Sequence, residues 1–366
     1  MDIGFGAPVA GVWATPRNLT EFGRRAERLG YRSLWTFQRL LVPSGSPMAP
    51  VYQSVLDPMV SLGFLAAATS SIRLAVAVVN HPFMSPLLLA KQAASVDVLS
   101  GGRLDLGVGI GWVREEFTGS GAPMARRGAR TEEYLAALRA LWTGDGGFAG
   151  EYYTIPAGRQ DPPPVQRPGP PILLGGMSRA AMERAGRLAD GWVTASTADL
   201  SRIAEAAKVV QETAAAAGRG PVRIVCRGVV RAGREKRSDA GQRVLLSGSY
   251  AQIREDVAWL DSCGVTEVFY DLNFDPAVGN PSAAEGAAVL RAAEIIEALA
   301  PGGSRRLGAF AVGDRGGFRA AGGAQLGQDV GDVHAGGLRG DEQLRADLAV
   351  GQAAGQQAED LALAVG

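Results

Sequence analysis

"IRLAVAVVNHPFMSPLLLAKQAASVDVLSGGRLDLGVGIG", Ile72 to Gly111, decides the fold. It opens on an apolar run, Ile72 to Asn80, continuous as in a strand buried on both faces. Ser85 then stands as an N-cap and Pro86 at the first helical position. Apolar residues follow at helical spacing to Ser100, where Gly101-Gly102 stops the helix. "RLDLGVGIG" resumes as a second buried strand. Strand, helix and strand in this order belong to a parallel sheet.

The unit repeats in both directions. Towards the N-terminus, strands are expected at "DIGFGAP" and "SLWT". The helices between them are "NLTEFGRRAERLG", ending at Gly30, and "LDPMVSLGFLAAAT", opened by Asp57 and Pro58. Towards the C-terminus come helix "RTEEYLAALRALWTG" and strands "PPILLGG", "GWVTAS", "VRIVCRGVV" and "VTEVFYDL". Their helices are "SRAAMERAGRLA", "DLSRIAEAAKVVQETAAAAG", "YAQIREDVAWLDSCG" and "SAAEGAAVLRAAEIIEALA". Eight strand–helix pairs predict an α/β chain closed into a (β/α)8 TIM barrel over residues 1–302. A doubly wound open sheet is the alternative. "FAGEYYTIPAGRQDPPPVQRPG" reads as an insertion after the fourth helix, with a short hairpin. From residue 303 to 366 the chain is Gly-studded and without sustained period, which predicts a low-complexity, disordered tail that adds nothing to the site. Its composition resembles a reading frame translated out of register.

Composition excludes several functions. Among 366 residues, Lys plus Arg and Asp plus Glu each total 37. No basic excess exists to displace counterions, so nucleic acid and an acidic membrane are not expected partners. A homodimer is compatible with the zero net charge. No apolar run spans a bilayer, and the first residues lack a signal-peptide pattern, so a cytoplasmic address is expected. Cys226 and Cys263 lack metal or redox spacing and read as small buried hydrophobes. The histidines are His81 and His334 alone, without a catalytic triad or H-E-x-x-H, so no metal site is expected.

In a (β/α)8 barrel, chemistry sits at the C-terminal ends of the strands. The second strand runs out at Phe37, Gln38 and Arg39, the third near Asn80 and His81. The fourth ends in "GVGIGW", with Gly107, Gly109, Gly111 and Trp112. Those glycines either admit a planar ring close to the backbone or simply make a tight turn. The fifth ends at Gly175-Gly176. A helix then starts at Met177, Ser178 and Arg179, where orphan amides and the helix dipole suit an anion. Ser178 also reads as a plain N-cap. The seventh strand ends near Arg231, the eighth near Asp271 and Asn273.

"LLLAKQAASVDVLSGGRLDLGVGIGWVREEF", "RRGARTEEYLAALRALWTGD" and "PPPVQRPGPPILLGGMSRAAMERAGRLADGWV", in this order, resemble the luciferase-like monooxygenase superfamily, and within it the F420-dependent oxidoreductases. The resemblance implies a non-prolyl cis peptide in a bulge on the third strand, near Ala77-Val78, supporting the cofactor ring. It implies a cofactor phosphate at Gly175, Gly176, Met177 and Ser178. It places Asn80, Gly109, Gly111 and Trp112 around the ring, with Gln38 and Arg39 as candidate catalytic positions. Many deazaflavin relatives carry an acid and a histidine where Gln38 and Arg39 stand. Sugar-phosphate dehydrogenases of the family carry a glutamate where Trp112 stands. The expected activity is hydride transfer between F420 and a small organic substrate. The alternatives are an FMN-dependent monooxygenase served by a partner reductase, and a cofactor-binding barrel without catalysis.

Overall fold

A computed structural model describes residues 1–144 and 147–301. The tail expected over 303–366 lies outside the described residues. Thirteen strands and nine α-helices are found among the described residues. The barrel takes β1 (Asp2–Gly6), β2 (Ser33–Thr36), β3 (Arg73–Val76), β4 (Val79–Asn80) and β5 (Leu104–Gly109). β6 (Phe148–Ala149) and β7 (Thr154–Ile155) pair as the small antiparallel hairpin of the insertion. The barrel resumes with β8 (Ile172–Gly175), β9 (Gly191–Val193), β10 (Arg223–Val229) and, after the short pair β11 (Arg231–Ala232) and β12 (Ser247–Gly248), β13 (Glu267–Asp271).

Parallel pairing runs β3, β2, β1, β13, β10, β9, β8, β5, β4. A further β3–β5 pairing, Leu74 opposite Leu104, closes the ring. With β3 and β4 as halves of one interrupted strand, this is the closed eight-stranded (β/α)8 barrel. The helices around it are α1 (Pro16–Arg28), α2 (Pro58–Ala68), α3 (Pro86–Ser100), α4 (Arg114–Gly119), α5 (Arg127–Thr143), α6 (Arg179–Leu188), α7 (Ile203–Ala216), α8 (Tyr250–Ser262) and α9 (Glu285–Ala298). Their caps follow the sequence: Asp57 accepts from the amides of Met59 and Val60, and Ser85 from Leu88. Gly30 adopts φ +83°, which glycine takes without a side-chain clash.

Two expectations need correction. The third strand is not continuous; it breaks after Val76 and resumes at Val79, across a cis Ala77–Val78 peptide. The seventh strand ends at Val229, so Arg231 belongs to the separate β11–β12 pair.

The barrel interior is layered. At its N-terminal end Asp105 accepts from Arg73 Nε at 2.8 Å and lies 3.1 Å from Arg223 Nη1. Arg223 also donates to Glu267 at 2.8 Å, and Glu267 takes Ser33 Oγ and Trp35 Nε1. These carboxylates are fully buried but paired, which is how interior charge is tolerated. Above them Trp35 stacks on Phe269, centroids 4.6 Å apart, among Ala75, Leu173, Val193 and Val225. The apolar plug leaves only the C-terminal end open to function.

Candidate functional site

At that end lies a cleft of about 360 Å³. Gln38, Arg39, Ala77, Val78, Asn80, Gly109, Gly111, Trp112, Gly175, Gly176, Met177 and Ser178 all line it. Positions from four strand ends thus converge. His81 does not line it. The ring is buried against Tyr134, with Nε2 2.9 Å from Thr131 Oγ1. Burial, then Arg184 and Arg130, pushes its pKa down to about 3, so at neutral pH it is an uncharged packing residue.

The floor of the cleft is the bulge between β3 and β4. Val78 turns its methyl groups over three glycines. A Cβ at Gly109 would stand 2.4 Å from Val78 Cγ2, and one at Gly175 2.9 Å from Val78 Cγ1. A Cβ at Gly107 would meet the Val76 carbonyl oxygen at 1.9 Å. Gly107 and Gly109 of "GVGIG" therefore make room for the chain's own bulge. Gly107 and Gly109 come closest to Val76 and Val78, whereas Gly111, at φ +67°, is a turn glycine whose added Cβ would meet Phe83 and Phe117.

Gln38 braces that bulge. Its Oε1 accepts the Asn80 amide at 2.9 Å, and Asn80 Oδ1 accepts the Gly111 amide at 3.1 Å. Its own Nε2 is buried without a hydrogen-bond partner. A buried donor left unmatched costs about 1–3 kcal/mol, so this amide stands ready for an acceptor.

Arg39 has a partner that its sequence neighbours do not reveal. Nη1 lies 3.0 Å from Glu116 Oε1 on α4, with side chains 4% and 1% exposed. Arg39 Nε and Nη1 and Glu116 Oε2 still lack a hydrogen-bond partner. Glu116 Oε1 also accepts the Leu40 amide at 2.8 Å and, more weakly, that of Leu41. The guanidinium lies between the rings of Tyr52 and Trp112, at 4.7 and 4.9 Å. Arg39, a candidate catalytic position by sequence, is thus half of a buried ion pair. Trp112 itself is 59% exposed at the rim.

Arg227, on β10, is the lining residue that the sequence reading passed over in favour of Arg231. Its Nε donates to Asp271 at 2.7 Å and its Nη1 to the Ala77 carbonyl at 3.3 Å. Phe37 and Phe274 flank it, both at 4.6 Å. Asp271 Oδ1 in turn holds Asn273, whose amide reaches the Ala7 carbonyl. The available signal was a charged residue two positions before the end of a buried run, on the inward face.

The anion-binding corner is assembled as a helix start. Ser178 Oγ caps Ala181 at 3.2 Å, while Gly176, at φ +130°, gives its carbonyl to Trp192 Nε1 at 2.7 Å. The first amides of α6 have no intrahelical acceptor. Arg127 also lines the cleft, held to the Gly111 carbonyl and without a carboxylate partner among the described residues. No cluster of metal-binding side chains occurs among the described residues. No helix there is long and apolar enough to cross a membrane.

A family model described as luciferase-like monooxygenase matches residues 4–257. An uncharacterised protein of Mycobacterium tuberculosis is 38% identical over 209 residues, 54% of this chain and 73% of that protein. An FMNH2-dependent dimethylsulfone monooxygenase of Pseudomonas putida is 40% identical over 134 residues, 36% of this chain and 37% of that protein. Among solved structures, an F420-dependent secondary alcohol dehydrogenase in complex with an F420–acetone adduct superposes with a TM-score of 0.64 at 16% identity. That match covers 81% of this chain and 97% of the other, a likeness of fold.

Proposed function

The chain belongs to the luciferase-like monooxygenase family, and from that premise we propose that it is an oxidoreductase holding a flavin-type ring in this cleft. The proposed reaction is hydride transfer with a small organic substrate, and the proposed cofactor is coenzyme F420. One observation carries the reading. The strand-end positions meet around a single cleft that keeps a buried amide donor, Gln38 Nε2, without a protein acceptor.

The residues fit such a group. Gln38 Nε2 would donate to an acceptor on the ring's polar edge. Val78 would back the ring, and Arg227 and Asn80 would hold the bulge still. The α6 amides and Arg127 would face the phosphate. When bound, the cofactor supplies the hydride chemistry, and the protein contributes orientation, charge and exclusion of water. Every lining cation except Arg127 carries its own carboxylate, and no histidine lines the cleft among the described residues. A guanidinium such as that of Arg39 offers hydrogen-bond donors and no acceptor.

FMN is the second reading, favoured by the identity to the Pseudomonas putida enzyme; it would require a reductase to deliver reduced flavin. Anaerobic calorimetric titration with F420 and with FMN decides between them. One-site binding of F420 with weak FMN binding is expected. Oxygen-dependent product formation with reduced FMN alone would sink the F420 assignment. Cofactor binding without turnover across a broad substrate panel would point to the inactive barrel.

A further inference from the structure

Two arginines in the cleft share one construction. Arg39 lies between Tyr52 and Trp112, and Arg227 lies against the packed pair Phe37 and Phe274. In each, aromatic rings wall part of the guanidinium. Each is also matched by a carboxylate only 1% exposed, Glu116 or Asp271. A lone guanidinium at a site selects anions. A guanidinium neutralised from behind does not; it offers a fixed donor without net charge.

We propose that Glu116 is a specificity-determining residue, cancelling the charge of Arg39 so that the cleft takes neutral substrates bearing an acceptor oxygen, such as ketones, esters or sulfones. Arg39 Nε is buried and lacks an acceptor, as such a role requires. A carboxylate substrate entering beside Arg39 would meet Glu116 as well, and like charges at close range in a dry site repel strongly. An ammonium substrate would meet two guanidiniums with their charges already matched. Arg127 remains for the cofactor's phosphate, so it does not draw anions to the substrate side. The proposal rests on reading this cleft as the active site.

Three ring compounds of one shape test it: cyclohexanone, cyclohexanecarboxylate and cyclohexylammonium, each titrated calorimetrically into the full chain. Cyclohexanone is expected to bind about tenfold more tightly than either ion, one well-made hydrogen bond to a charged donor accounting for the difference. Glu116→Gln keeps the side chain's shape and an oxygen for the Leu40 amide but removes the charge. It is expected to raise carboxylate affinity about tenfold and invert the order. Arg39→Met/Glu116→Met removes the pair together, leaving no orphaned charge. There, ketone affinity is expected to fall without a gain for carboxylate. A folded Glu116→Gln protein with the wild-type order overturns the proposal, as does wild-type preference for the carboxylate or no binding of any probe. Cofactor binding is measured on the same samples. If it persists while selectivity fails, this inference alone falls; if it too is absent, the reading of the cleft falls.

Discussion

Arg39 and Gln38 were placed at the mouth by a strand-end rule alone, and they are there. Their chemistry was not legible. Glu116 reaches Arg39 from α4, and nothing in the local sequence marks a pair so far apart in the chain. Gln38 carries the sharper prediction. Gln38→Glu keeps the oxygen that accepts the Asn80 amide but removes the unmatched donor. Because it also buries a carboxylate, it should lower the melting temperature by a few degrees and weaken cofactor binding about tenfold, read by thermal unfolding and titration. His81 gives a pH prediction. Its folded pKa, about 3, lies below the ordinary 6.5, so the unfolded chain binds the extra proton first. The stability it contributes is complete above pH 6.5 and is lost as pH falls towards 3. His81→Phe should flatten that part of the stability curve, measured by denaturant unfolding at several pH values.

The bulge between β3 and β4 is the element on which the site is built. Its position was legible through the family resemblance; the apolar run itself reads as one unbroken strand. Gly107 and Gly109 were visible, but the neighbours that demand them were not, because Val76 and Val78 meet β5 only in space. Gly107→Ala would drive a methyl into the Val76 carbonyl, which is backbone and cannot step aside. No folded protein is expected from it. Gly109→Ala meets only the Val78 side chain, at a cost of about 1–3 kcal/mol. Val78→Ala should recover most of that loss, and a double-mutant cycle by thermal unfolding reads the coupling. The six-residue helix α4 escaped the sequence reading because so short a helix shows no periodicity, yet it brings Glu116 to the site.

At the scale of the whole molecule, closure followed from counting strand–helix pairs, and the β3–β5 pairing is what completes the ring. The buried layers were not countable. Asp105, Arg223 and Glu267 look like ordinary surface charges in sequence, and only register brings them together beneath Trp35 and Phe269. The residues after the barrel are proposed to be dispensable: the described core ends with α9 at Ala298 and Leu299. Truncation after Gly302 should preserve the unfolding midpoint and cofactor affinity, and loss of either would refute it. The central claim is that a flavin-type ring lies in this cleft. A crystal structure of the chain with the cofactor that binds in titration tests it most directly. The ring should rest on Val78 beside Gln38 Nε2, with phosphate at the amides of Met177 and Ser178 that lead into α6. A ring bound anywhere else, or one turned so that Gln38 remains unmatched, would contradict it.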